Sequence, residues 1–146
     1  MKASTIARWG CLVPVVGLLL LLFASYFATG RRTSEGKRLL PSTATDIEHL
    51  GFHGVIGGDH RGLTKARMPI EEYADYARSL GLTLQFDPKS HAEIETTLNM
   101  RVGNAPVWWD PPDVDGTTYF DSTKGRTYLR VLRYSEGHIY YLRLSW

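Results

Sequence analysis

The chain separates by hydrophobic pattern into a greasy start and an alternating remainder. Between Arg8 and Arg31 lies an uncharged, strongly apolar stretch, Trp9 to Gly30, that contains the block Gly17-Leu18-Leu19-Leu20-Leu21-Leu22-Phe23. As a helix it would reach roughly 33 Å, enough to cross the ~30 Å hydrocarbon core of a bilayer with its backbone groups satisfied internally. Residues 1–30 are therefore predicted to be a transmembrane signal anchor, in contact with membrane lipid through residues 9–30. A cleaved signal peptide ending near Gly30 is the alternative, but Cys11 to Phe27 is longer than an ordinary signal core, and Tyr26 and Phe27 crowd the candidate site.

Residues 31–41 are polar and basic until Leu39-Leu40-Pro41, and read as a juxtamembrane linker. The soluble domain is expected over 42–146. Its first apolar positions, Ile47, Leu50, Phe52 and Val55, suggest a strand, followed by a turn at Gly57-Gly58-Asp59 and a second strand at Leu63–Met68. Pro69 suits a first helical position, Glu71 and Glu72 favour the positive helix start, and Gly81 suits a left-handed stop. The helix between them should bury Ile70, Tyr73, Ala74, Ala77 and Leu80, spaced by three and four.

Alternation predicts a strand over Leu82–Phe86, closed by Asp87-Pro88. Ser90, with Glu93 three residues on, predicts a capped helix from Ala92 to Met100. At the end of the chain, Arg126–Tyr134 and His138–Trp146 flank Ser135-Glu136-Gly137, the pattern of a hairpin with a type I turn and bulge. Leu142, Leu144 and Trp146 share one face of its second strand. The fold class expected is α+β: an antiparallel sheet with one or two helices packed on one face, preceded by a single transmembrane helix.

Charge changes the choice of partners. Residues 1–40 carry six Lys or Arg against Glu35 alone, net +5, whereas residues 41–146 carry eleven basic and fourteen acidic side chains, net −3. The basic pI of about 8.7 belongs to the flanks of the apolar stretch. A nucleic-acid surface is not indicated. Positive charges on the two sides of the stretch nearly cancel, so topology rests on the short basic N-terminus, which resembles a signal anchor and places the domain outside the cytoplasm. The one cysteine, Cys11, sits at the start of the apolar stretch and leaves the domain no internal disulfide.

Candidate chemistry is sparse. His49 and His53, with Asp59 and His60 near them in sequence, are weak candidates for a metal and a metal-assisted hydrolase. Four glycines argue against a helix there, and on a strand His49 and His53 would stand roughly 13 Å apart. No nucleophile elbow, phosphate-binding loop or zinc helix is present. Neither a catalytic residue nor a cofactor is assigned.

The most unusual segment is Trp108-Trp109-Asp110-Pro111-Pro112-Asp113-Val114-Asp115-Gly116. Asp113 and Asp115 resemble part of a calcium loop, but Pro111 and Ser122 occupy positions where an EF-hand needs acids. The adjacent tryptophans, with Asp110, Asp113 and Asp115, are the candidate surface for an envelope protein or polymer; alternation on a strand would instead bury one Trp in the core and cover the other. A non-enzymatic envelope binding domain is the leading expectation, with an accessory subunit of a membrane complex as another.

Pro41-Ser42-Thr43-Ala44-Thr45-Asp46-Ile47, the helix start Met68-Pro69-Ile70-Glu71-Glu72 and Trp108-Trp109-Asp110-Pro111 together resemble small bacterial membrane-anchored or lipoprotein-type domains of unknown function. The resemblance covers residues 40–146 and implies an envelope location with no assigned activity. This chain departs from lipoprotein members in lacking a suitably placed lipidation cysteine.

Overall fold

A computed structural model describes residues 14, 16–21, 34–53, 60–99, 102–121 and 128–145, without the side chains of 52, 53 and 60. The chain divides into two compact units, Met1–Arg32 and Thr33–Trp146. In the first, residues 14 and 16–21 are helical. No helix among the described residues is long and apolar enough to cross a membrane. Most of Trp9 to Gly30, and the anchor expected there, lies outside the described residues.

The second unit is an α+β fold on a six-stranded, wholly antiparallel sheet. Its elements are α1 (Glu35–Arg38), β1 (Thr45–His53), β2 (His60–Arg67), α2 (Tyr73–Ser79), β3 (Leu84–Gln85), α3 (Glu95–Leu98), β4 (Tyr119–Asp121), β5 (Tyr128–Ser135) and β6 (His138–Ser145). Short 3₁₀ turns, Ile70–Glu72 and Ala92–Ile94, lead into α2 and α3. The strand order is β1-β2-β6-β5-β4-β3, so the central pair β6-β5 is the C-terminal hairpin.

Alternation along these strands makes two cores. Ala66, Leu132, Ile139 and Tyr141 point to one face and join Tyr73, Tyr76, Ala77, Leu80 and Leu82 from α2 and its exit. Leu63, Leu129, Val131, Phe120 and Leu142 point to the other and join Phe86, Leu98 and Val102. Helical segments thus cover both faces of the sheet, where the sequence pattern places them on one. A sheet with apolar residues on both sides has to be covered on both.

Helix α2 stops where its signal lies but begins only at Tyr73, after the 3₁₀ turn that follows Pro69, and its buried stripe is Tyr73, Tyr76, Ala77 and Leu80. Ile70 is 51 % exposed. It sits in the 3₁₀ turn, whose three residues per turn shift the phase of the stripe. The helix closes on a Schellman arrangement: Gly81 N donates to Arg78 O and Leu82 N to Ala77 O, each at 2.9 Å, with Gly81 at φ 68°.

Over Leu82–Phe86 only Leu84 and Gln85 pair with β4. Leu82 and Phe86 enter opposite cores, because the chain passes round the sheet edge between them. Ser90 does not cap a helix; its hydroxyl donates to Asp87 Oδ2 at 2.7 Å, while Asp87 Oδ1 accepts from Lys89 N. The hairpin is tighter than its sequence suggests. Ser135 pairs directly with His138, leaving two turn residues, Glu136 at φ 50° and Gly137 at φ 80°, as a type I′ turn requires. Trp146 lies outside the described residues.

Where a linker is expected, residues 34–40 are folded onto the α2 side of the sheet. Ser34 caps α1, and Leu39 and Leu40 pack against the core on that side.

Candidate functional site

The unusual Trp-Asp-Pro segment belongs to a long connection, described over residues 102–118, that is laid over the sheet face opposite α2. Its backbone polar groups need partners away from water, and side chains of the folded frame supply them. Arg61 on β2 donates to Gly103 O at 2.8 Å. Lys65, two positions on from Leu63 on the same strand, donates to Trp108 O at 3.2 Å and to Asp110 Oδ1 at 2.7 Å. Arg133 on β5 donates to Pro112 O at 2.7 Å and also to Leu98 O. Asn99 Oδ1 accepts from Val114 N, and the Tyr73 hydroxyl reaches Thr117 O.

The two tryptophans are half-buried and both pack against the Leu63–Leu142 core. Their rings meet edge to face at 6.0 Å, and Trp109 meets Tyr140 in the same way at 5.9 Å. Lys65 Nζ lies 5.1 Å from the centre of the Tyr140 ring, within cation–π range. Neither Trp is on a strand, so the expected in-and-out alternation is replaced by an aromatic chain, Trp108 to Trp109 to Tyr140. Part of each indole stays open to solvent.

Electrostatics tie this loop down. The hydrogen bond from Lys65 holds the Asp110 carboxyl below the usual carboxylate range. Burial alone would draw the Lys65 ammonium down, but its bonds to Asp110 and Tyr140 outweigh it and the net shift is upward. Arg133 is only 6 % exposed, and burial pulls its guanidinium downward while Asp113 and Asp115 oppose that pull. Asp113 and Asp115 are exposed, and Asp115 Oδ1 accepts from Thr117 N and Oγ1. Asp115 therefore shapes a turn.

Sequence reasoning missed Val107, which is fully exposed at 102 % beside the half-buried Pro106 and Trp108. It also missed the three cations beneath the loop. All three had a legible signal: Arg61 and Lys65 share strand parity with Leu63, and Arg133 shares it with Leu129 and Val131. A charge on an inward-facing position asks for a partner.

The histidine candidates are not assembled. His49 stands on β1, half-buried, and its Nδ1 lies 2.9 Å from Leu63 O. A carbonyl only accepts, so that nitrogen carries the proton. Burial, foremost, moves the ring's pKa down, which keeps it neutral at pH 7. The strand register sets His53 opposite His60, but their side chains and all of Asp59 lie outside the described residues. Among the described residues no three His, Cys, Asp or Glu side chains gather as metal ligands would. No family model, curated protein or solved structure matches the chain.

Proposed function

We propose that this chain is a non-catalytic binding domain tethered to a membrane through residues 9–30, with the loop from Ala105 to Pro112 as its contact surface. One observation carries the binding reading: Val107 is fully exposed on a loop fastened before it by Arg61 at Gly103 and after it by Lys65 and Arg133 at Trp108, Asp110 and Pro112. A tip held in place before the partner arrives loses little conformational entropy on binding. The exposed apolar tip, the open parts of Trp108 and Trp109, and the acids Asp110, Asp113 and Asp115 around them suit a protein or polymer with apolar and basic groups. The chain from the tether enters the domain through α1, on the α2 face, so the loop stands on the far side of the sheet from that entry. Location at the envelope, with the domain outside the cytoplasm, rests on the apolar stretch and the short basic N-terminus before it.

The test is site-specific photocrosslinking in the full chain, expressed in its membrane. A benzoylphenylalanine at position 107 should give a discrete adduct that is absent when the probe stands at Glu71, exposed on the α2 side. Equal crosslinking at the two positions would remove the loop as the contact surface. Carbonate extraction tests the tether separately: the intact chain should stay with the membrane pellet.

A further inference from the structure

Helix α1 has four residues, far too few to persist by its own backbone hydrogen bonds. It is held by what it touches. Gly36 is buried, and a Cβ there would come within 2.3 Å of Tyr141 Cδ1, so only glycine lets the backbone lie on that ring. The Tyr76 hydroxyl donates to Gly36 O at 2.6 Å. Ser34 Oγ lies 3.2 Å from His49 Nδ1, and Arg143 donates to Glu35 Oε2 at 3.2 Å, with Arg130 4.0 Å from the same oxygen. Leu39 and Leu40 add partial burial.

These contacts are few and sit at one end of the domain's chain, whereas the sheet beneath is closed by its own strand ladders. Every residue of the sheet keeps its strand partners if Ser34–Leu40 lifts away; Tyr141 and Thr64 lose their cover, the Tyr76 hydroxyl its acceptor, and Arg130 and Arg143 the Glu35 carboxylate. The segment is also the first described part of the domain, and in sequence only Arg31, Arg32 and Thr33 separate it from the apolar stretch.

We infer that Ser34–Pro41 is a releasable clasp, docked on the sheet through Gly36 and able to detach while the six-stranded sheet stays folded. Detachment turns these residues into tether, adding roughly 27 Å of extended chain. The clasp sets how far the binding loop can travel from its anchor, and that consequence rests on the proposed tether; the docking and release do not.

Hydrogen exchange on the full chain in detergent tests it. The amides of Lys37, Arg38, Leu39 and Leu40 all donate within the segment, so docking must slow them. In the wild type they should exchange more slowly than free chain yet on the order of 100-fold faster than the β5–β6 hairpin, the mark of opening short of global unfolding. Gly36→Val should bring them to the free-chain rate with the hairpin unchanged. Tyr76→Phe, which keeps the ring and removes one bond, should give an intermediate rate, and covers the case in which Gly36→Val fails to fold. Exchange of residues 37–40 in step with the hairpin would make the segment a fixed part of the core and overturn the inference, as would identical rates in wild type and both variants. A chain released by carbonate extraction would instead remove the tether while leaving this result standing.

Discussion

Lys65 Nζ binds Asp110 Oδ1 at 2.7 Å and Trp108 O at 3.2 Å, so a single ammonium on β2 fastens the loop on both sides of Trp109. The Asp110 side chain is 67 % exposed, and solvent screens the pair. Asp110→Asn should therefore cost about 0.5–1 kcal/mol at pH 7. A carboxyl whose folded pKa is depressed stabilises above its unfolded value, about 3.9, and loses that contribution as pH falls through the lower folded one. Lys65, shifted upward, contributes fully below about 10.4 and loses its part as pH rises through its folded pKa. Urea unfolding of wild type and variant should show the gap closing toward acid pH; a gap unchanged from pH 7 down to pH 2 would mean that the ion pair contributes nothing.

Arg133 should be the costlier pin. Arg133→Met keeps most of the buried stem but leaves the Pro112 and Leu98 carbonyls without their donor. A loss of about 2–3 kcal/mol is expected, the scale for buried bonds to a charged group. Because the loop carries both indoles, tryptophan emission should shift to the red below the unfolding transition. Unchanged emission together with a loss under about 0.5 kcal/mol, the level of an ordinary surface change, would show the loop to be held elsewhere.

Alkali should unfold the domain through its buried phenols. Burial pushes Tyr141 up to about 12 and moves Tyr73 and Tyr76 upward as well. A phenol with a raised folded pKa keeps its proton after the unfolded chain has lost it, so stability is intact below about pH 10 and falls as pH rises through the folded value. Tyr141 adds a second handle, since among the described residues its buried hydroxyl has no hydrogen bond of good geometry, only an electrostatic contact with Arg130. Tyr141→Phe should be neutral or stabilising at pH 7, and should flatten the fall between pH 10 and 12. Absorbance at 295 nm and urea midpoints across that range measure both effects; a steeper fall in the variant would contradict them.

At Glu136 a substitution should help. It holds φ 50° at the first turn position of the β5–β6 hairpin, a conformation that costs a non-glycine residue about 1–2 kcal/mol. Asn tolerates it far better, and Asn-Gly is the favoured type I′ pair. Glu136→Asn should raise stability by about 0.5–1 kcal/mol, part of that strain, seen as a higher thermal midpoint. A lower midpoint would show that the Glu side chain makes a compensating contact.

The firmest local signals of this sequence are those set by one residue's torsional preference. Gly81 stops α2, Pro69 precedes it, and the 135–137 segment joins two strands. Two departures are local: Ser90 looks like a cap and serves Asp87 three residues back, and Ile70 looks buried and stands in solvent in a 3₁₀ turn. A third depends on distant partners: Leu82 and Phe86 look equivalent by alternation and lie in different cores. The Trp108-Trp109 pair was conspicuous as composition, but nothing near it in sequence announces that Arg61, Lys65 and Arg133 hold its loop.

By itself the sequence determined the class of the domain, its antiparallel C-terminal hairpin, the stop of its main helix and the unequal charge of its two halves, because each follows from composition, periodicity or one residue's torsional preference. Only the tertiary structure decided that both faces of the sheet are covered, that residues 34–40 are docked, and that Val107 is presented while the tryptophans are half enclosed. Those outcomes depend on which side chains meet across forty or more residues, as Tyr76 meets Gly36 and Lys65 meets Asp110. Such meetings are fixed by sheet order and close packing, which no local pattern encodes.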